Sequence, residues 1–506
     1  MHRKGDLVIR PTTRLGPGTV RTGGAGLGHA LALTQLFFML SGALPPEAQS
    51  GAASGSLSRS LERSRDAVVL ESERLEGLFD GSPPGGVAVC AYRDGRFHVI
   101  PSQIDPLGSD GLVIPEHVNR VRRKAVYDFS PNPDRPERLG GRYQVLFMAA
   151  DAGDRYPPEA ALPADLLRGA EIELRDPEDG GTAWAYVAAR AEPRAELAAS
   201  GSGPPAESDY VDYALEPRGA GVSEQIRASR YVTGFPDADK PFAYGCWIVP
   251  QSAGGSGVDL LHGFRVRVEI RILFIHFDLD PKNAIIPYVL GYSDGPVRVT
   301  RRVYSSIVIK GIKMDSLMGE AKLETESHYY SNFFYFDGEV SLPGLVKKIS
   351  KVNAFFTTDF TSEAVGLAWT NSQNAPEGCL VDGILSPQEQ SLSREPYLWA
   401  LLVGAQGGWA NILRMRTESI RPNMKLFYLD DRLHADEKEP GLHGTWGSTG
   451  YTLDRLDQVE EKVAFRTYIF AIPRTFAPGD EKSLVRLVYE PLEVAVTRIW
   501  GRDSGK

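Results

Sequence analysis

Cysteine is scarce in this sequence: there are three, Cys90, Cys246 and Cys379, separated by long stretches of chain. No C-x-x-C pair occurs, which excludes the common zinc-finger, haem-attachment and redox-dithiol motifs. An odd number also leaves at least one thiol without a disulfide partner in the chain. We therefore expect three small buried side chains rather than a disulfide framework.

Basic charge is also in short supply. The chain has 56 Lys and Arg against 65 Asp and Glu, which gives a formal net charge of −9. Nucleic-acid phosphates favour a basic surface, so this balance argues against a nucleic-acid partner. Beyond residue 43 no apolar run is long enough to cross a bilayer, and we expect no transmembrane span in the mature protein.

The common catalytic motifs are missing as well. G-x-S-x-G, H-E-x-x-H and the EF-hand loop do not occur. The glycine-rich segment Gly441–Tyr451 lacks the G-x-x-x-x-G-K-[ST] pattern, so phosphate binding has no support there. Its Trp446 is a candidate contact for a glycan or a partner protein, and a plain connecting loop is the alternative.

The most informative feature that is present lies at the N-terminus. Five basic residues and one acid precede an apolar run, Leu27–Ala43, which ends in small residues. This order is typical of a secretory signal peptide, and a buried helix with a basic tail is the alternative. We predict a signal peptide over 1–43, a disordered leader over 44–66, and export to the periplasm or the extracellular space.

Beyond the leader, short runs with the period of a β-strand follow one another at close intervals. They predict a mostly β fold with few helices, in which an antiparallel β-sandwich domain precedes a larger supersandwich-like β domain. We place an N-terminal β-rich domain at 67–194, a Pro- and Gly-rich linker at 195–208 and the large domain at 209–506. Leu61–Phe79 and Leu342–Val352 have helical periodicity, whereas Ser483–Tyr489 predicts a strand.

The segment Phe264–Asp280 changes phase near Leu273, where the apolar positions switch from even to odd numbers. A bulge, a break in the strand or burial of both faces would each explain the switch. After it, His276, Asp278 and Asp280 alternate on one strand face, where an imidazole and two carboxylates could hold a divalent cation or a sugar. A solvated outer face is the alternative.

Short segments of the chain resemble known families. The Asp-Gly-Pro-Val-Arg turn at 294–298 resembles a turn that enters a long strand in galactose-mutarotase-like β-supersandwich proteins. Ile100–Asp105 and Val145–Asp154 resemble segments of uncharacterised exported bacterial proteins. The resemblance implies a supersandwich fold, and enzymes of that class isomerise, hydrolyse or eliminate at sugars. No catalytic motif of the class matches this chain.

Arginine and aromatic residues after this turn are candidates for ligand binding. Arg301 and Arg302 lie on the strand that leaves the turn and could bind a carboxylate or a uronic acid. His328, Tyr329 and Tyr330 open an aromatic strand whose tyrosines, expected on opposite faces, could stack on a sugar ring. The alternatives are a solvated face for the arginines and a strand buried between two layers for the aromatic run.

Together these observations favour an exported, non-catalytic protein that binds an envelope glycan or a partner protein. The alternative is a carbohydrate-active enzyme, a lyase, hydrolase or epimerase that acts on an acidic or a neutral sugar. A cleft in which a histidine meets a carboxylate and an arginine would discriminate between the two.

Overall fold

The structure is a computed structural model. It describes residues 58–121, 127–157, 166–190, 209–218, 221–235, 245–272, 275–279, 285–309, 312–313, 323–340, 351–376, 378–430, 432, 445–458 and 463–501. The predicted signal peptide, most of the leader and the predicted linker lie outside these ranges, and they stay predictions. No helix in the described part of the chain is long and apolar enough to cross a membrane.

The fold is mostly β, as the sequence predicted, and its sheets are antiparallel. Two sheets are built mainly from the first part of the chain. In the order of hydrogen-bonded neighbours, the three-stranded sheet contains β1 (Ala67–Glu71), β7 (Tyr143–Met148) and β4 (Ser102–Pro106). In the same order, one five-stranded sheet contains β29 (Glu493–Trp500), β8 (Leu166–Arg175), β9 (Thr182–Arg190), β2 (Val87–Arg93) and β3 (Arg96–Val99).

The rest of the described chain forms three larger or later sheets. The four-stranded sheet contains β10 (Val211–Arg218), β11 (Gly221–Ala228), β12 (Val232–Phe235) and β13 (Cys246–Ile248). A second five-stranded sheet contains β15 (Ile275–Leu279), β14 (Leu261–Ile272), β21 (Lys351–Phe360), β27 (Ser448–Leu453) and β26 (Met424–Leu429). The twelve-stranded sheet, called the large sheet below, contains β23 (Cys379–Leu380), β22 (Ala368–Asn371), β24 (Trp399–Gly404), β25 (Gly407–Met415), β28 (Val463–Ile472), β20 (Phe333–Val340), β19 (Leu323–Tyr329), β17 (Val299–Ile309), β16 (Ile285–Asp294), β5 (His117–Asn119) and β6 (Phe129–Pro131), with β18 (Ile312–Lys313) paired to β17.

The last strand of the chain returns to a sheet of the first part. β29 pairs with β8 along its length, from Glu493 opposite Arg175 to Trp500 opposite Gly169. The side chain of Arg74 also reaches β29, where it donates to the carbonyl oxygen of Val494 at 2.5 Å. No local pattern in the sequence indicates this long-range pairing.

Two α-helices lie in the described part of the chain, α1 (Pro387–Gln390) and α2 (Glu481–Tyr489). The strand predicted over Ser483–Tyr489 is therefore wrong. Leu484 and Val488 lie one helical turn apart and are both buried, so this apolar run covers the core with a helical face rather than a strand face.

The helix predicted over Leu61–Phe79 is also wrong, because this segment contains β1. Val68 and Leu70 alternate toward the core there, and β1 gains its hydrogen bonds from β7. Most of Leu342–Val352 lies outside the described residues, so the helix predicted there stays a prediction.

Both faces of the central strands of the large sheet are covered. One face packs against the four-stranded sheet and the second five-stranded sheet. The other packs against β7 and α2. Adjacent residues of one strand therefore enter two different cores, which decides how each predicted site residue is exposed.

Candidate functional site

Two of the segments that carry the family resemblance meet in the structure. A Cβ atom on Gly295 would lie 2.4 Å from the side chain of Gln103, so any larger residue here would displace this glutamine. The backbone N–H of Arg298 donates to Gln103 Oε1 at 2.9 Å, and its guanidinium donates to Asp105 at 2.5 Å and to Gln144 at 2.9 Å. The side chains of Arg298 and Asp105 are 1% and 0% exposed, so the two segments share a buried polar network.

Arg301 is on β17, which begins one residue after Arg298, and its side chain lies in the interior on the opposite side of the sheet. Its guanidinium binds the carboxylate of Glu224 through Nε and Nη2, the latter at 2.8 Å. Tyr213 donates its hydroxyl to the same carboxylate at 2.8 Å, and the ring of Phe235 covers the guanidinium at 4.5 Å. Neither Arg301 nor Glu224 is exposed by more than 1%, so this ion pair is closed to a ligand.

Arg302 is half-buried and connects two parts of the fold. Its Nη2 lies 3.5 Å from a carboxylate oxygen of Asp110, and its Nη1 donates to the carbonyl oxygen of Val113 at 3.4 Å. The N–H of Val113 in turn donates to Glu326 of the large sheet at 2.9 Å. Arg302 therefore helps to fasten the segment before β5 to the large sheet.

Tyr329 and Tyr330 lie on opposite faces, as the sequence predicted, but both are buried, with 5% and 1% exposure. Tyr329 stacks on Phe334 and Tyr330 stacks on Phe333, with centroid distances of 5.0 and 4.9 Å. The aromatic run is not one strand, because the N–H of Tyr330 donates to the carbonyl oxygen of Phe333 at 2.9 Å and a tight turn separates β19 from β20. Neither tyrosine offers the exposed face that stacking on a sugar requires.

His328 lies on the face that carries Tyr330 and is 5% exposed. Its Nε2 is 3.1 Å from a carboxylate oxygen of Glu326, and its Nδ1 is 3.3 Å from the hydroxyl of Thr300. Burial lowers the pKa of His328, and the neighbouring Glu326 only partly opposes this effect. The imidazole is therefore neutral at neutral pH, and both of its nitrogens are engaged by the protein.

From His328, polar side chains continue across the next strands toward the surface. The ring of Tyr335 packs on His328 at 4.7 Å, and Cζ of Arg466 lies 4.2 Å above the same ring. Arg466 donates two hydrogen bonds of 2.8 Å to the carboxylate of Asp337. Arg416, whose side chain is 49% exposed, binds this carboxylate at 3.0 Å. The row thus runs from a buried end to an accessible one.

Tyr335 and Tyr468 lie side by side in this row, with ring centroids 5.3 Å apart. Within the described residues neither hydroxyl has a hydrogen-bond partner. Burial raises the pKa of Tyr335 well above its usual value, and part of its side chain remains accessible, whereas Tyr468 is 7% exposed. We call the whole row the polar strip (Arg298, Tyr330, His328, Tyr335, Tyr468, Arg466, Asp337 and Arg416) and its last five members the outer half.

The structure describes two of the three predicted metal-binding residues. β14 and β15 form a hairpin, so the phase change in the sequence is a break between two strands. His276 is exposed, Asp278 lies 3.8 Å from Arg267, and Asp280 lies outside the described residues. Across the described ranges no three His, Cys, Asp or Glu side chains are grouped so that they could hold a metal ion. A divalent cation at His276, Asp278 and Asp280 stays a prediction.

Trp446 is half-buried and packed from two sides. Cζ of Arg432 lies 4.6 Å above its ring, and a Cβ atom on Gly383 would lie 3.2 Å from the ring edge. Its backbone N–H donates to the carbonyl oxygen of Phe360 at 3.1 Å. Through these contacts Trp446 holds the loop around Gly383 in place.

Sequence reasoning missed Asp105, Glu224, Tyr335 and Arg466. A buried arginine needs a carboxylate, but one sequence does not show which carboxylate will reach it. Arg466 carries a readable signal, because it is the single charged residue in the otherwise apolar or uncharged run Val463–Ile472.

No protein-family model matches the chain, and no curated protein matches it. Among solved structures, it is similar to a glycosyl hydrolase family 38 protein from Enterococcus faecalis, with 9% identity, a TM-score of 0.40, and coverage of 87% of this chain and 47% of that one. An alpha-mannosidase from Enterococcus faecalis V583 gives 10% identity, a TM-score of 0.41, and coverage of 88% and 46%. Heparinase III gives 9% identity, a TM-score of 0.25, and coverage of 52% and 36%. The chain spans about half the length of the two Enterococcus chains, and similarity at this level shows neither a shared activity nor the galactose-mutarotase-like family.

Proposed function

We propose that this protein is an exported, non-catalytic carbohydrate-binding protein whose ligand lies on the outer half of the polar strip. The observation that carries the proposal is the hydroxyl of Tyr335, which has no partner in the described part of the chain and belongs to a half-buried side chain, with the ring of the buried Tyr468 packed beside it. A sugar presents many hydroxyls, which such groups can bind while the ring edges pack on its carbon atoms. Export rests on the N-terminal sequence.

The charges around the tyrosines support binding rather than chemistry. Arg466 and Asp337 hold each other in a bidentate pair, which fixes donors and acceptors at the edge of the surface. The raised pKa keeps Tyr335 protonated, so its hydroxyl is a poor general base. Both nitrogens of His328 are occupied, so this histidine positions the ring of Tyr335 instead of meeting a ligand.

The proposal is tested with the purified mature protein on a panel of neutral and acidic oligosaccharides, followed by calorimetry on those that bind. Tyr335→Phe removes one hydroxyl and keeps the ring, so affinity should fall about tenfold, the value of a well-placed hydrogen bond. Tyr92→Phe is the matched control, because Tyr92 is a half-buried tyrosine in another aromatic cluster. Absence of binding to the whole panel, or equal losses in both variants, would contradict the proposal.

Catalysis on the bound saccharide is the second candidate, and the contact of His328 with Glu326 is the observation that favours it. Every saccharide that binds is incubated with the protein, and new reducing ends, unsaturated products and epimers are measured. Turnover that disappears in His328→Gln, while binding persists, would replace the non-catalytic proposal with an enzymatic one.

A further inference from the structure

Building on the proposed function, we infer that the ligand is an acidic saccharide whose carboxylate binds Arg416 and Arg414 at the end of the polar strip. The two arginines lie beside the tyrosine pair and differ from the other arginines of the large sheet in how much of their binding capacity remains open. The inference therefore concerns the chemical class of the ligand and the residues that select it.

The register of the large sheet places arginines next to one another. Arg414 of β25 is directly opposite Arg466 of β28, and Arg466 is directly opposite Asp337 of β20. Arg416 follows the end of β25, and its contact of 3.0 Å with Asp337 places its side chain on the same face. Like charges directly opposite each other are unfavourable in a sheet, so this arrangement gains from an additional anion.

The three arginines are not equally committed to protein partners. Arg466 donates two hydrogen bonds of 2.8 Å to Asp337, through Nε and Nη2. Arg416 makes one contact of 3.0 Å with that carboxylate and is about half exposed. Arg414 is exposed, donates a long hydrogen bond of 3.3 Å to the carbonyl oxygen of Val488, and lies 6.0 Å from the ring centre of Tyr489. Arg414 and Arg416 can therefore turn to an incoming anion at little cost.

The spacing fits a sugar acid. Same-face residues on a strand are about 6.6 Å apart, so Arg414 lies one step beyond Tyr335 and Tyr468, and Arg416 lies a second step beyond them. A saccharide that starts over Tyr335 and extends along this line would bring a carboxylate to the two arginines. The planar guanidinium group matches a carboxylate with two parallel hydrogen bonds, which a neutral hydroxymethyl group in the same place cannot use.

The net negative charge of the whole chain makes the local cluster of arginines informative about the ligand. The protein carries a net charge of −9, so a general attraction for anions is not expected. Arginines gathered beside the accessible side chain of Tyr335 on such a protein point to a local requirement for one negative group on the ligand.

The test compares short oligomers of galacturonic, glucuronic and mannuronic acid with the same oligomers after methyl esterification of their carboxyl groups. The ring and its hydroxyls are retained in the ester, and only the charge is lost. We expect the acids to bind about tenfold or more tightly than the esters, with a preference that weakens as salt is added. Arg416→Gln should remove most of this difference, whereas Arg96→Gln, an exposed arginine on β3, should leave it unchanged.

The possible failures are distinguishable. Equal affinity for acids and esters would overturn the inference about ligand class and leave carbohydrate binding intact. A preference for acids that survives Arg416→Gln and Arg414→Gln would overturn the assignment of the carboxylate contact. If no oligosaccharide binds at all, charged or neutral, the proposed function itself fails and this inference fails with it.

Discussion

The two faces of β17, β19 and β20 carry the same residue types, arginine and tyrosine, but differ in how far these side chains are enclosed. On one face Arg301 is enclosed by Glu224, Tyr213 and Phe235. On the other, the polar strip begins with a pair that is equally enclosed, Arg298 and Asp105, and ends in residues that solvent reaches. Arginine and tyrosine in a strand therefore do not by themselves indicate a binding site.

The difference comes from what packs over each face. The four-stranded sheet covers the face of Arg301, and its Glu224 completes the arginine's hydrogen bonds. On the opposite face, β4 and β7 reach the inner end of the polar strip through Asp105 and Gln144, and α2 packs against the core that contains Tyr468. The part that stays accessible, at Tyr335, Arg466 and Arg416, is where a ligand can take the place of a protein layer.

The largest expected effects come from the two buried tyrosines, one in each core. Tyr329→Ala and Tyr330→Ala should each lower the free energy of unfolding by about 3–5 kcal/mol, because each leaves a cavity the size of an aromatic ring. Denaturant unfolding measures this, and Ile384→Ala, at a residue 68% exposed, is the control with little effect. A small loss at either tyrosine would show that its face is open after all.

Removal of the carboxylate from the enclosed face should be nearly as costly. Glu224→Gln leaves the charge of Arg301 buried without a counter-ion, with an expected loss of about 3–5 kcal/mol. Glu216→Gln on the neighbouring strand breaks the exposed ion pair with Arg227 and should cost at most about 1 kcal/mol. Similar losses in both variants would mean that the Arg301 face is not closed.

Deletion of one hydroxyl on each face tests the comparison directly. Tyr213→Phe removes a hydrogen bond to a buried carboxylate and should lower stability by about 1.5–3 kcal/mol. Tyr335→Phe removes a hydroxyl with no protein partner among the described residues, so stability should change by less than about 0.5 kcal/mol. A large loss in Tyr335→Phe would reveal a structural role for this hydroxyl and weaken the case for a ligand.

The smallest expected effect is a dependence on pH at the edge of the enclosed face. Burial is the main cause that raises the pKa of Asp294 from 3.8 to about 8, and repulsion from the nearby carboxylates of Asp212 and Glu116 adds to the increase. The folded protein then holds a proton that the unfolded chain releases between these two values, so stability falls as pH rises through this interval. Asp294→Asn should flatten the dependence of stability on pH and raise the free energy of unfolding at pH 8 by about 1 kcal/mol. This value is reduced because the side chain is partly exposed to solvent. Melting curves at several pH values would show whether the slope persists in the variant.

Much of the local structure could be predicted from the sequence. Alternating apolar residues predicted the mostly β class, and the phase change near Leu273, for which a break was one of three explanations, marks the boundary between β14 and β15. The position of Tyr329 and Tyr330 on opposite faces followed from strand geometry alone. These features depend on neighbours in the chain, and a single sequence contains that information.

Tertiary structure decided which of these residues are available. The return of β29 to β8, the pairing of Arg298 with Asp105, and the burial of both Tyr329 and Tyr330 depend on layers contributed by distant parts of the chain. Alternation assigns a side chain to a face, but only the packing of another layer makes that face a core or a surface. The sequence by itself therefore determined strands and faces, and the covering layers decided that the accessible surface lies at Tyr335, Arg466 and Arg416, where no layer completes the hydrogen bonds.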